Sequence, residues 1–380
     1  MLRAQQYLIS TGGKAKERQK GMSLAMQKWF NSGVAILAVS ALLFLTGCAS
    51  PPRHFELATV ESAIVFPPPP DTAKIAYVGT VIGESNLVRD IRDTTGLQKI
   101  AKFIIGLPRT PKALENTVRP MSTIIDSAGM IHIVDGGKGA VLRLDTVNGD
   151  VGWVTAASKG VAFTTPIAIT PIWDNQLAIT DSTLGQVFIF DSLGQPVATL
   201  GKSILKRPVG IVYDTDNDQL LVADSMDDNI KAFDRAGVLQ DVIGSSGTES
   251  GQFNGPTYMA YKSPWLAVSD TLNARIQLIN RTTDEIRVIG TRGIRIGDFV
   301  RPKGVAFDSD YNLYAVESYH DYVLIYNIDG AFLMALGGNG KQHGQFNLPN
   351  GVSVDAEDKI YISDTMNGRV EVFQYLGDEQ

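Results

Sequence analysis

The stretch from Arg301 to Gly338 reads R-P-K-G-V-A-F-D (301–308), N-L-Y-A-V-E-S (312–318), Y-V-L-I-Y-N (322–327) and A-F-L-M-A-L-G-G (331–338). Each piece is a short run of β-branched or aromatic residues bounded by turn formers such as Gly, Asn and Asp, the pattern of a strand followed by a tight turn. Four runs in succession predict a four-stranded meander.

The unit recurs. Downstream it returns at Pro349-Asn350-Gly351-Val352, with Ile360 to Asp364 as the second run and Arg369 to Phe373 as the third. Upstream it is found at Pro208, at Pro256 and, in worn form, at Pro166 and Pro120. An acid ends the second run of every copy, at Asp135, Asp181, Asp224, Asp270, Glu317 and Asp364, in steps of 46, 43, 46, 47 and 47 residues. Six copies at this period, four strands to a copy, are the signature of a six-bladed β-propeller, an all-β fold. A proline at the head of each first strand fits, because the strand nearest the axis can begin with a residue that donates no hydrogen bond.

The order Pro-x-Gly-Val-x-x-Asp, Tyr-x-x-Asp, Arg-x-x-x-Phe and Gly-Gln-Phe-Asn-x-Pro resembles the NHL repeat. Its most literal pieces are Gly251-Gln252-Phe253-Asn254 and Gly344-Gln345-Phe346-Asn347, and the resemblance runs from about Arg119 to the C-terminus. It implies a propeller built from NHL-type blades over residues 72–380.

The last copy stops after its third strand, which would leave an unpaired sheet edge. Lys74 to Gly83 (K-I-A-Y-V-G-T-V-I-G) is similar to the fourth run at 331–338, so the N-terminal strand is expected to complete the sixth blade and close the ring. Between it and the first repeat, Leu97, Ile100, Ala101, Ile104 and Ile105 recur at helical spacing, predicting one short helical insertion at about 94–106.

The chain has 380 residues, 44% of them hydrophobic and 19% charged, which suits one large core. Its formal net charge is −6. Six basic residues and one acid precede the single cysteine, Cys48, so 28 basic and 39 acidic side chains follow, a balance of −11. That sign disfavours nucleic acid as a partner. A lone cysteine also excludes an internal disulfide.

Val34 to Leu45 is apolar except for Ser40 and is followed by Leu45-Thr46-Gly47-Cys48. The run is shorter than the roughly 20 residues a membrane span needs and has the length of a signal-peptide core behind a basic region. Leu-Thr-Gly-Cys resembles a bacterial lipobox. The expectation is a signal peptide over 1–47, starting at Met1, Met22 or Met26, with Cys48 as the lipidation site. A Pro-rich stalk over 48–71, containing Pro67 to Pro70, then tethers the domain to the membrane. Ala49 after the cysteine resembles the pattern of lipoproteins sent to the outer membrane.

Little catalytic chemistry is visible. The second-strand acids sit before turns, where a carboxylate bonds turn amides or, in two copies, the Arg275 or Arg369 that opens the third strand. Asp214, Asp216 and Asp218 begin like a calcium loop, but Gln219 and Ser225 stand where Gly and Glu are required, which reads as a polar hairpin. His54, His132, His320 and His343 form no three-ligand zinc set. His132 falls at a buried second-strand position and reads as a core histidine. No cofactor and no metal is expected. Lactonases and peptidylglycine amidating lyases share the implied fold and hold a metal in the channel, so a channel-centred metal-dependent enzyme is the alternative. Against it, the residues after the blade-opening proline include Lys303 and Asn350 at the channel mouth, a poor oxygen-ligand set for calcium.

The sequence therefore predicts a non-catalytic binding or scaffold propeller on the outer membrane, facing the periplasm or the cell surface. Its contact surface would be the loops after the second strands, including Gly136–Ala140, Ser225–Asn229 and Thr271–Ala274. Within them Tyr319, His320, Asp321 and Tyr322 are the cluster most suited to recognising a protein or glycan partner.

Overall fold

The computed structural model describes residues 53–60, 62–89 and 115–377. The chain divides into two units, Met1–Pro51 and Pro52–Gln380, and all described residues belong to the second. Cys48 and the helix expected over 94–106 lie outside them.

The second unit is a six-bladed propeller. Blades one to five open with Pro120–Ile125, Pro166–Pro171, Pro208–Asp214, Pro256–Lys262 and Pro302–Phe307, and each is an antiparallel meander of four strands in chain order. Blade six opens with Val352–Val354, continues through Lys359–Asp364 and Arg369–Tyr375, and then takes Ile75–Val81 as its fourth strand. That strand runs antiparallel to the last strand of the chain, from Ile75 opposite Tyr375 to Val81 opposite Val370, as the repeat count required. Helical structure in the described residues is limited to single 3-10 turns such as Thr271–Asn273 and Thr365–Asn367.

Within the expected stalk, residues 53–66 differ from a free spacer. Arg53–Phe55 pairs with Leu87–Arg89, and Val65–Phe66 adds a fifth strand outside Ile75–Val81. The reason is apolar surface. Phe55 and Leu57 pack on the core between blades six and one, and Phe66 on the core between blades five and six.

The core is not one mass but six apolar packets, one in each interface between neighbouring blades. Period-two strands explain this, because each sheet presents one face to the blade before it and the other to the blade after. The Gly-Gln-Phe motif has a packing role here. Phe253, Phe299 and Phe346, from equivalent connections, are fully buried in the interfaces three–four, four–five and five–six. Truncating such a residue costs about 3–5 kcal/mol.

The Pro-x-Gly motif is explained by crowding at the axis. A Cβ on Gly304 would stand 2.6 Å from the Asn350 carbonyl oxygen, and one on Gly351 2.5 Å from that of Met121. Only glycine lets these first strands approach, and the Gly304 amide then donates to the Asn350 carbonyl across the blade boundary at 2.7 Å.

Candidate functional site

The upper face, where the first strands begin and the second strands end, is organised by the six acids. All are buried. Asp135 accepts from the amides of Val118, Arg119, Gly137 and Lys138 at 2.5–3.1 Å, and Asp181 from those of Thr164, Thr165, Thr183 and Leu184 at 2.7–3.1 Å. Glu317 takes Val300, Arg301 and Tyr319. In blades four and six an arginine completes the clamp, with Arg275 Nε 2.7 Å from Asp270 and Arg369 Nε 2.9 Å from Asp364. Blade three uses Lys231, 2.6 Å from both Asp224 and Asp227. Each acid thus ties its own turn to the connection arriving from the preceding blade, the structural role read from the sequence. Among the described residues no group of three His, Cys, Asp or Glu could hold a metal ion.

With the loops fixed, what they display is decided two residues after the acid. Met226, Leu272, Tyr319 and Met366 occupy that register in blades three to six and are 67, 61, 60 and 49% exposed. Blades one and two place Gly137 and Thr183 there. The upper face therefore carries an apolar arc over four successive blades.

The expected recognition cluster is only partly on this surface. Tyr319 is exposed and stacks edge-on against His320, with centroids 5.1 Å apart. Asp321 is buried instead: it accepts from the Leu348 amide and from Asn339 Nδ2, both at 2.6 Å, and holds the connection into blade six. Tyr322 is half-buried against the blade four–five core. Asp321 and Tyr322 are framework, because the chain must be gripped where it leaves the turn.

Inside the arc lies the channel mouth. Lys303 is half-buried there. Burial first, then the guanidinium groups of Arg301 and Arg207, push its amine down to about 8. Asn350, its neighbour in the ring, places its side-chain amide near the Met121 sulfur at 3.8 Å.

Below the mouth the channel is crossed by one side chain. The third residues of the six copies are Ser122, Ala168, Gly210, Tyr258, Gly304 and Gly351. Five small residues leave room for Tyr258, whose hydroxyl donates to the Met121 carbonyl on the facing blade at 3.1 Å. Beneath this roof is a cavity of about 520 Å³, lined by first strands of all six blades and reaching Lys262, Asp308, Asp355 and Asp358 on the lower face. Sequence reasoning missed Tyr258. The signal was a single bulky residue in a column otherwise small.

His132 is buried, with Nε2 2.9 Å from Asp126 Oδ2, as a core histidine. Asp214 accepts from the amides of Asp216 and Asn217 and pairs with Arg281 at 3.1 Å, so the calcium-like run is a bonded hairpin turn. His343 has a role that its position in a connection did not suggest. Its Nδ1 lies 2.6 Å from the Tyr77 hydroxyl, Tyr77 is 2.6 Å from Thr80 Oγ1, and Thr80 donates to the buried Glu371 at 2.7 Å. This network rivets the closing strand to blade six.

Comparison with known proteins agrees with this architecture. Residues 346–373 match the NHL repeat. No curated protein matches the chain in sequence. An auxiliary nutrient binding protein from Bacteroides ovatus is similar in structure, with a TM-score of 0.55 at 13% identity over 68% of this chain and 70% of that one. A counterpart from Bacteroides thetaiotaomicron gives 0.54 at 13% over 69% and 70%. A streptogramin B lyase gives 0.51 at 13% over 86% and 95%. At these identities the likeness is one of fold, and the same propeller serves a binding protein and an enzyme.

Proposed function

We propose that this protein is a lipid-anchored, non-catalytic binding propeller of the bacterial cell envelope, which recognises a protein partner through its upper face. The observation that carries this reading is the arc of Met226, Leu272, Tyr319 and Met366, large apolar side chains exposed at one register on loops that buried carboxylates hold rigid. Isolated exposed apolar residues are ordinary, but a repeated set around one rim suits a protein interface, where Met and Tyr are enriched. The lipobox-like Leu45-Thr46-Gly47-Cys48 supports anchoring at the outer membrane. The likeness to nutrient-binding propellers supports a binding role.

The test is photo-crosslinking in intact cells, with the reactive amino acid placed at Leu272 or Met366 and, as control, at Leu193, an exposed residue in the connection to an outer strand of blade two. Adducts of one discrete mass from the two rim positions and not from Leu193 are expected. Equal labelling from all three would refute the reading.

A further inference from the structure

Beside the apolar arc lies a charge pattern that the fold does not need. Arg119, Arg207 and Arg301 occupy one register in blades one, three and five: each precedes the blade-opening proline, and the amide of each donates to the second-strand acid of its own blade. Alternate blades place them around the mouth of the channel. Lys303, two residues after Arg301, adds a fourth cation inside that mouth and feels both Arg301 and Arg207. All three arginines are exposed, and among the described residues none of the four side chains has a hydrogen bond or an ion pair. Lys206, Lys231 and Arg275 on the same face are neutralised, the two lysines by Asp227 and Arg275 by Asp270. The six acids beneath the mouth are committed to backbone amides. Unpaired like charges gathered at a concavity repel one another, a cost that a ligand's negative charge removes.

We propose that the channel mouth is a binding site for a carboxylate-bearing segment of the partner protein, held by Arg207, Arg301 and Lys303 with Arg119 at the far side, while the surrounding arc takes apolar side chains that flank the acids. This rests on the upper-face reading above and specifies its ligand. Guanidinium groups match carboxylates in a two-pronged geometry. An acidic sugar would satisfy the same cations, but Met226, Leu272 and Met366 suit aliphatic side chains, and of the four arc residues Tyr319 alone offers a ring for a sugar to stack on.

The test uses the full chain in detergent and a peptide of three glutamates flanked by leucines. Titration calorimetry is expected to show binding that weakens with salt. Arg207→Gln with Arg301→Gln should weaken it by about tenfold or more, and Lys303→Glu, which gives the two arginines an internal partner, should abolish it. Both variants keep every clamp and apolar contact, and circular dichroism checks their fold. Equal peptide binding by wild type and variants would overturn the proposal, as would tighter binding of an oligogalacturonate of the same charge. The two readings separate in the crosslinking experiment. If Lys303→Glu abolishes peptide binding but leaves the rim adduct unchanged, the partner uses the face without the carboxylate site. If the adduct is absent while the peptide still binds, the anion site stands and the protein-docking rim falls.

Discussion

Lys303 is held where its own charge is disfavoured, and that has a measurable sign. Its folded-state value of about 8 lies below the ordinary lysine range, so the unfolded chain keeps a proton that the folded chain gives up between about pH 8 and 10.5. The penalty is fully present below pH 8 and fades as pH rises. Lys303→Met is therefore expected to raise stability by roughly 1–3 kcal/mol at neutral pH, with the gain shrinking above pH 9, as chemical denaturation across pH would report. A drop in stability would show that the lysine is held by contacts rather than strained. His343 carries the same sign in a lower pH window. Burial, then Arg369, push its imidazole below the ordinary value, with Tyr77, Thr80 and Glu371 in the same network. Below about pH 6.5 the unfolded histidine gains a proton that the folded one resists. Wild type should thus lose stability relative to His343→Gln as pH falls from 7 to 5, while parallel curves would exclude this contribution. At this scale the sequence revealed the acids and the core histidine. It did not reveal Tyr258 or the burial of Asp321, because both depend on what stands across the ring rather than on neighbours in the chain.

Among elements, the closing strand Ile75–Val81 shows most directly how local pattern and long-range partner combine. Its strand character was legible, and so was its similarity to the run at 331–338. What fixes it is side-chain chemistry: Thr80 Oγ1 is the hydroxyl donor to Glu371, which is fully buried, pushed up by that burial and paired with Arg369 at 2.8 Å. Thr80→Val keeps shape and removes the donor, which should cost about 1–3 kcal/mol. The same exchange at Thr199, exposed on an outer strand of blade two, should change stability by less than about 0.5 kcal/mol. Equal midpoints in thermal unfolding would mean that the rivet carries no load. The strands at 53–55 and 65–66 were not legible as strands. They are short, lie beside a run of four prolines, and owe their conformation to edges supplied by residues 75–89.

For the molecule as a whole, the repeat spacing was enough to count blades, because a period of about 46 residues admits few alternatives and the unpaired edge of the last copy demanded a donor strand. The candidate site was legible only as a region. Lys303 and Asn350 were placed at the mouth by motif position, but the partition of the channel beneath Tyr258, and the contrast between a cationic upper mouth and an acid-rich lower one, arise only when six copies face each other.

Ring closure has a further consequence for how the protein is made. Ile75 pairs with Tyr375, so a strand synthesised near the start must await a mate that follows 300 positions later. Until then the first blade and the most recently formed one each lack a neighbour, and the growing chain exposes a bare sheet face at both ends of the stack. Non-local pairing of this kind slows folding and invites aggregation. The protein should therefore depend on holdase chaperones more heavily than its finished, closed ring would suggest.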